Sequence, residues 1–196
     1  SEFDRTRKTK RVNTIVYCLA FFGGFIIMSL ELLGGRILAP YFGSSIYVWG
    51  SIITIFMMSL SGGYLAGGKL SLFSPSMNKF GVIFLIAALL LFPLIYVAEA
   101  AMETIFDLVS DPRYGSLLAS ATLFTLPTVI LGMISPYSVR LLIETVEKSG
   151  QVAGKLYFVS TLGSALGTLA TSFYLVLWFE IDTILIFMTA SLALLG

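Results

Sequence analysis

Positive charge is distributed very unevenly among the apolar segments of this chain, and that asymmetry constrains its fold more than any other feature. Six apolar runs lie near residues 13–33, 46–70, 80–98, 117–142, 152–179 and 181–196. If each run crosses a bilayer, ten of the 12 Lys and Arg residues fall on the side of the N-terminus, and only Arg36 and Arg113 fall on the other side. Because Lys and Arg near span ends collect in the cytoplasm, the pattern predicts six spans with both termini cytoplasmic.

Composition agrees with a membrane protein. The 196-residue chain is 57% hydrophobic and 12% charged, whereas a soluble domain carries about 25% charged residues. Each helical span needs about 20 apolar residues, so the length accommodates six spans with short loops. We therefore predict an all-α, polytopic membrane protein with a bundle of about six transmembrane helices. A short re-entrant or kinked segment after the first helix is left open.

The predicted organisation is a cytoplasmic basic tail, residues 1–12, followed by a membrane domain, residues 13–196. The start, Ser1-Glu2-Phe3, resembles a cloning remnant. The last apolar run reaches Gly196 after about 16 residues, which is short for a span. From these ends we expect the chain to be the membrane part of a longer protein.

Metal and nucleic-acid sites are not expected. The chain has no His and a single cysteine, Cys18, so it lacks the side chains that most often bind transition metals. Its net charge of +1 gives no indication of a nucleic-acid partner. We predict neither.

The end of the first apolar run carries an ionisable pair. A charged side chain inside a membrane helix costs roughly 2.5–3.5 kcal/mol on insertion scales, so Glu31 needs a partner or water. Arg36 is the obvious candidate, but five residues place the two about 140° apart on an ideal helix, unless the Gly34-Gly35 pair loosens the backbone. A structural ion pair and a cation-binding or proton-linked site both remain open. Helical spacing predicts that Glu31 faces other helices, on the same side as Ala20, Gly24, Ile27 and Met28.

Two prolines in the fourth run, Pro127 and Pro136, predict a bent helix. Broken helices often line binding sites in transporters, so the segment 131–137 is a candidate cavity wall with Ser135 as one of its polar groups. A purely structural kink is the alternative. Combined with the first run, this gives a set of candidate ligand-binding residues: Glu31, Arg36, Tyr41, Tyr137 and Arg140.

Small residues recur at four-residue spacing in the second and fifth runs, as Gly63 and Gly67 and as Gly163 and Gly167. Such spacing lets membrane helices approach closely. We predict that these four glycines pack against neighbouring helices, with the two runs as candidate partners of each other.

Two stretches resemble a known protein family. The first holds residues 34–45 (GGRILAPYFGSS), 47–49 (YVW) and 63–70 (GYLAGGKL), and the second holds residues 134–141 (ISPYSVRL), 152–157 (VAGKLY) and 160–164 (STLGS). Together they are similar to the membrane domain of membrane-integrated spermidine-synthase-like proteins, or polyamine aminopropyltransferases. The resemblance implies a following cytoplasmic domain that transfers an aminopropyl group from decarboxylated S-adenosylmethionine to putrescine.

No residue of this chain inherits a catalytic role from that resemblance, because the family's Gly-rich loop and acidic residues belong to the other domain. The chain itself is expected to need no cofactor, and decarboxylated S-adenosylmethionine would be a co-substrate of the parent enzyme. The implied function is a plasma-membrane anchor that binds or passes a polyamine-like cation. The expected partners are the lipid bilayer, the C-terminal catalytic domain and a second copy of the chain. A six-span half-transporter and a ligand-free scaffold subunit are the alternatives.

Overall fold

A computed structural model describes residues 2–196, and within that range the chain forms helices and no strands. A π-helical turn, Thr171–Leu175, joins the seventh helix to the eighth. The α-helices in chain order are α1 (Glu2–Phe42), α2 (Ile46–Leu70), α3 (Met77–Leu91), α4 (Leu94–Leu108), α5 (Pro112–Gly132), α6 (Ile134–Leu142), α7 (Ser149–Ala170), α8 (Val176–Trp178) and α9 (Ile181–Leu195).

Four helical segments are long and apolar enough to cross a membrane: Glu2–Phe42, Ile46–Leu70, Pro112–Leu142 and Ser149–Trp178. The pair α3 and α4, bent by 47°, makes a fifth if it is counted as one span. The predicted sixth span corresponds to α9, which has 15 residues, fewer than the roughly 20 of a typical span. The chain is therefore an all-helical protein with four or five helices able to span a membrane.

The predicted tail and the first predicted span form one continuous helix. α1 runs from Glu2 to Phe42 without a break at Gly34-Gly35 or at Pro40, and Ser1 lies outside the described residues. The helix ends where Gly43 takes a φ of 84°, a left-handed conformation that glycine adopts without steric cost. The re-entrant or kinked segment left open by the sequence is therefore a short turn, residues 43–45.

Helix breaks near prolines interrupt the third and fourth predicted spans. Pro93 separates α3 from α4, and α4 continues to Leu108, beyond the predicted end at residue 98. Met133 separates α5 from α6, three residues before Pro136, whose missing N–H leaves the carbonyl of Gly132 without a helical donor. Pro127 lies inside α5 and does not interrupt it.

Glycine contacts position the central helices. The α1–α7 and α2–α5 interfaces are the two most extensive in the described chain. In the first, a Cβ on Gly167 would lie 2.8 Å from the Cα of Phe25. In the second, a Cβ on Gly67 would lie 2.8 Å from the Cα of Met133. The glycine faces of α2 and α7 therefore contact α5 and α1 rather than each other.

Buried hydroxyl groups link the same helix pairs. The Thr171 hydroxyl donates to Ser29 Oγ at 2.7 Å, which joins the π-helical turn after α7 to α1. The Ser116 hydroxyl lies 3.0 Å from Ser51 Oγ, which joins α5 to α2. Hydrogen bonds of this kind hold helices together where the surroundings offer no water.

Candidate ligand site

A cavity of about 360 Å³ lies between α1, α2, α6 and α7. It adjoins the α5–α6 break, because Pro136 next to that break is one of its walls. The volume falls within the roughly 300–1,000 Å³ of small-molecule sites. Four helices contribute its lining: Gly24, Ile27, Met28, Leu60, Tyr64, Ser135, Pro136, Tyr157, Ser160, Thr161 and Ser164.

Hydroxyl groups and aromatic rings form the polar part of this lining. Tyr64 is 48% exposed and Tyr157 57% exposed, so both stand at the mouth of the cavity. Deeper in α7, the Ser164 hydroxyl donates to the carbonyl of Ser160 at 3.1 Å. Within residues 2–196 the lining includes no charged side chain. The cavity thus offers hydroxyls for hydrogen bonds and two aromatic faces that can attract a cation.

Glu31 lies just beyond the cavity on the α1 stripe that lines it. Ile27 and Met28 form that stripe, and three residues separate Met28 from Glu31, a rise of about 4.5 Å along the helix. The Glu31 side chain is half-buried. Among the described residues, no basic side chain forms a salt bridge with it. A carboxylate without a cationic partner therefore stands at the edge of the cavity.

Arg36 does not neutralise this carboxylate. Because α1 stays helical through Gly34-Gly35, the separation of about 140° between the two side chains persists. Arg36 is exposed and lines a different groove, of about 590 Å³, together with Glu180 and Asp182. The one salt bridge found in residues 2–196 joins Arg113 to Asp111 at 3.3 Å. The ion-pair alternative left open by the sequence is thus absent.

The other three candidate residues lie outside the cavity lining. The ring of Tyr41 lies near Phe106, with 6.3 Å between ring centroids. Tyr137 is fully buried, stacks on Phe80 with centroids 5.8 Å apart, and its hydroxyl accepts a hydrogen bond from the Ser76 N–H at 3.0 Å. Arg140 is exposed near the end of α6. Of the predicted cavity wall, Ser135 and Pro136 do line the cavity.

From the sequence, only the glycines of α7 were given a role, in helix packing, and its polar residues were not predicted to line a site. Tyr157, Ser160, Thr161 and Ser164 recur at spacings of three or four residues, which places them along one side of a helix. That hydroxyl stripe was a readable signal for a polar surface. Tyr64 carried a weaker signal, since it stands between the two packing glycines of α2.

The fold and the site together define a class, an all-helical protein of membrane-spanning length with a neutral, hydroxyl-lined cavity beside an unpaired carboxylate. No protein-family profile, curated protein or solved structure matches the chain.

Proposed function

We propose that this chain is a membrane domain that binds a polyamine-like organic cation in the cavity between α1, α2, α6 and α7. It would also anchor a cytoplasmic aminopropyltransferase domain, as in the spermidine-synthase-like proteins that its motifs resemble. The parent protein would then use decarboxylated S-adenosylmethionine as co-substrate, and this chain would supply no catalytic residue.

One observation carries the proposal, the half-buried and unpaired Glu31 at the cavity edge. A carboxylate within a membrane helix is costly unless a partner or water satisfies it, and such groups commonly mark ligand or ion pathways. Arg36 occupies another groove, so a cationic ligand is the partner that the site lacks.

The cavity chemistry favours an organic cation with more than one ammonium group. One ammonium would pair with Glu31, and the chain of the ligand would run along α1 towards Gly24, a distance of about 10 Å for seven residues. There the hydroxyls of Ser160 and Ser164 accept hydrogen bonds. The rings of Tyr64 and Tyr157 at the mouth add cation–π attraction. The methylene segments would contact Ile27 and Met28.

The anchoring role is supported by the charge asymmetry and by the motif resemblance. The basic residues favour cytoplasmic termini, which requires an even number of crossings of the plasma membrane. Six crossings result when the α3–α4 pair and α9 each count as one. A C-terminal catalytic domain would then lie beside its cytoplasmic substrates. A homodimer is compatible with this arrangement.

Thermal unfolding of the purified chain in detergent, with and without spermidine, tests the proposal. We expect spermidine to raise the melting temperature of the wild type. Glu31→Gln keeps the shape of the side chain and removes its charge, so it should abolish that rise. Glu103→Gln changes an exposed carboxylate on α4 and is the matched control, in which the rise should persist.

The ligand-free melting temperature separates binding from folding. A Glu31→Gln variant that melts like the wild type and no longer responds to spermidine supports the binding role. A full spermidine response in Glu31→Gln would contradict it.

A further inference from the structure

The two most extensive helix interfaces repeat the same set of backbone contacts. In each, two glycines four residues apart on one helix face the backbone of two residues four apart on the other, and a glycine of that second helix faces a carbonyl in return. In the α1–α7 interface these contacts are Gly163 with Phe21, Gly167 with Phe25, and Gly24 with Ser160. In the α5–α2 interface they are Gly63 with Val129, Gly67 with Met133, and Gly132 with Leu60.

Matching residues of the two interfaces differ by a constant number along the chain. Each residue of α2 matches the residue of α7 that is 100 positions later, as Gly63 matches Gly163. Each residue of α1 matches the residue of the α5–α6 segment that is 108 positions later, as Gly24 matches Gly132. All three contacts obey these two offsets. If the two glycine pairs resembled each other by chance, the third contact of each interface would not need to obey the same two offsets.

Burial follows the same register. Each residue of 23–31 has the same burial class as its counterpart in 131–139. Along α2, three of the four buried residues within 56–67, namely Phe56, Gly63 and Gly67, correspond to the buried Leu156, Gly163 and Gly167 of α7. The fourth, Ser59, corresponds to the half-buried Val159. The matching segments therefore have similar environments although their sequences differ.

The two matching segments, α1 and the α5–α6 segment, run in opposite directions. As residue numbers rise along α1 they fall along the contacting helices, as shown by Gly23 with Ile134, Gly34 with Phe124, and Gly115 with Phe42. Because α1 and its counterpart are antiparallel, the two-fold axis that relates them lies across the helices, in the plane of a membrane. This is the geometry of an inverted repeat, in which binding sites form at the repeat interface.

The cavity lies on this axis, because most of its lining consists of counterpart pairs. Four such pairs line it: Ile27 with Ser135, Met28 with Pro136, Leu60 with Ser160, and Tyr64 with Ser164. We call α1 with α7 one unit and α2 with α5 and α6 the other unit. In each pair, one residue belongs to the first unit and its counterpart belongs to the second. The cavity thus separates two tightly packed units that are related to each other by the axis.

We infer that the chain contains two inverted repeats, one built on α1 and α2 and the other on α5–α6 and α7, and that the domain moves its ligand across the membrane. The α1–α7 unit rocks against the α2–α5–α6 unit about the axis, which opens the cavity to each side in turn. The cargo class, an organic cation, rests on the proposed function. The inverted repeat and the two-sided cavity do not.

The two sides of the cavity differ where counterpart residues differ in chemistry. The counterpart of Glu31 is Val139, so a carboxylate stands on one side of the cavity only. Under the cytoplasmic-termini topology that side is external, and Glu31 would attract a cation as it enters from outside. The counterpart of Tyr64 is Ser164, so the aromatic surface is also unevenly placed.

Thiol accessibility tests the two-sided cavity without a ligand. Tyr64→Cys and Ser164→Cys, each in a Cys18→Ala background, are exposed to a membrane-impermeant thiol reagent applied to right-side-out or inside-out vesicles. Both cysteines should react from both sides. Ser110→Cys and Glu147→Cys, in exposed loops, are controls that should each react from one side only. In parallel, uptake of labelled spermidine is measured in proteoliposomes that contain the wild-type chain or Glu31→Gln.

Two-sided labelling with spermidine uptake that Glu31→Gln abolishes supports the inference. Labelling of both cavity cysteines from one side only overturns it, and spermidine binding would then still support the proposed function. Two-sided labelling without spermidine binding or uptake supports the two-sided cavity and overturns the cargo, and with it the proposed function.

Discussion

Glu31 and Arg36 lie on different sides of an unbroken α1, and no salt bridge joins them. Their five-residue spacing invites an ion pair, but only a helix break could bring them together. The Gly34-Gly35 pair does not supply that break. It is buried, with Gly34 against Phe124 and Gly35 against Trp49. These glycines therefore allow close packing, and the carboxylate has no salt-bridge partner.

The first prediction concerns topology. Single cysteines at Leu72 and Glu147, both exposed, should resist an impermeant thiol reagent in intact cells if the basic loops are cytoplasmic. A cysteine at Ser110 should react. Each is made in the Cys18→Ala background, and permeabilised cells provide the labelling maximum. Reaction at Leu72→Cys in intact cells would refute the six-crossing arrangement.

The second prediction concerns helix packing. Gly163→Ala places a Cβ 3.0 Å from the Cα of Phe21, so α1 and α7 must separate. Overpacking of this kind costs about 1–3 kcal/mol, and we expect a lower melting temperature in detergent. Gly154→Ala on the same helix is the control, because no atom lies within 4 Å of its added Cβ. Equal melting temperatures for the two variants would contradict the close approach.

The third prediction separates structural from ligand-binding tyrosines. Tyr137→Phe keeps the ring stacked on Phe80 but removes the acceptor for the Ser76 N–H. It should lower stability by about 0.5–1.5 kcal/mol and leave the spermidine response intact. Tyr64→Leu should leave stability unchanged and weaken the spermidine affinity about 2–5-fold, because the cation–π contact is lost. Isothermal titration and thermal unfolding measure the two effects. Weaker spermidine binding in Tyr137→Phe would show that the buried ring belongs to the site.

The fourth prediction concerns pH. Asp111 caps α5 by accepting the Arg113 backbone N–H at 2.8 Å, and hydrogen bonds from Arg113 lower the pKa of its carboxyl below the usual 3.8. Because the folded pKa is the lower one, the cap stabilises the fold above the ordinary value. That contribution is lost as the pH falls through the folded value. Melting temperatures of the wild type should therefore fall more steeply in acid than those of Asp111→Asn. Asp107→Asn, at an exposed position of α4, should follow the wild type.

The sequence predicted the helical class correctly for a simple reason. Helical periodicity is a local property, and α1 keeps it from Glu2 to Phe42. The stripe through Gly24, Ile27 and Met28 therefore lines the cavity, and Glu31 continues it.

The cavity itself could not be predicted from the sequence. Tyr64 and Tyr157 come from helices that are distant in the chain, and only the register of α1 on α7 and of α2 on α5 brings them to one site. The same limit applies to Tyr137. Its position beside Pro136 suggested a cavity wall, but the direction of its side chain depends on Phe80 of another helix. Bends were located only approximately, because one proline interrupts a helix and another, Pro127, does not.

Equilibrium binding of labelled spermidine to the purified chain in detergent tests whether Glu31 binds the cation. One saturable site per chain is expected. Loss of a hydrogen-bonded charged partner costs about 1.5–3 kcal/mol, so Glu31→Gln should weaken the affinity at least about tenfold. Glu103→Gln should bind as the wild type does. Wild-type affinity in Glu31→Gln would contradict the assignment of Glu31 as the cation-binding carboxylate.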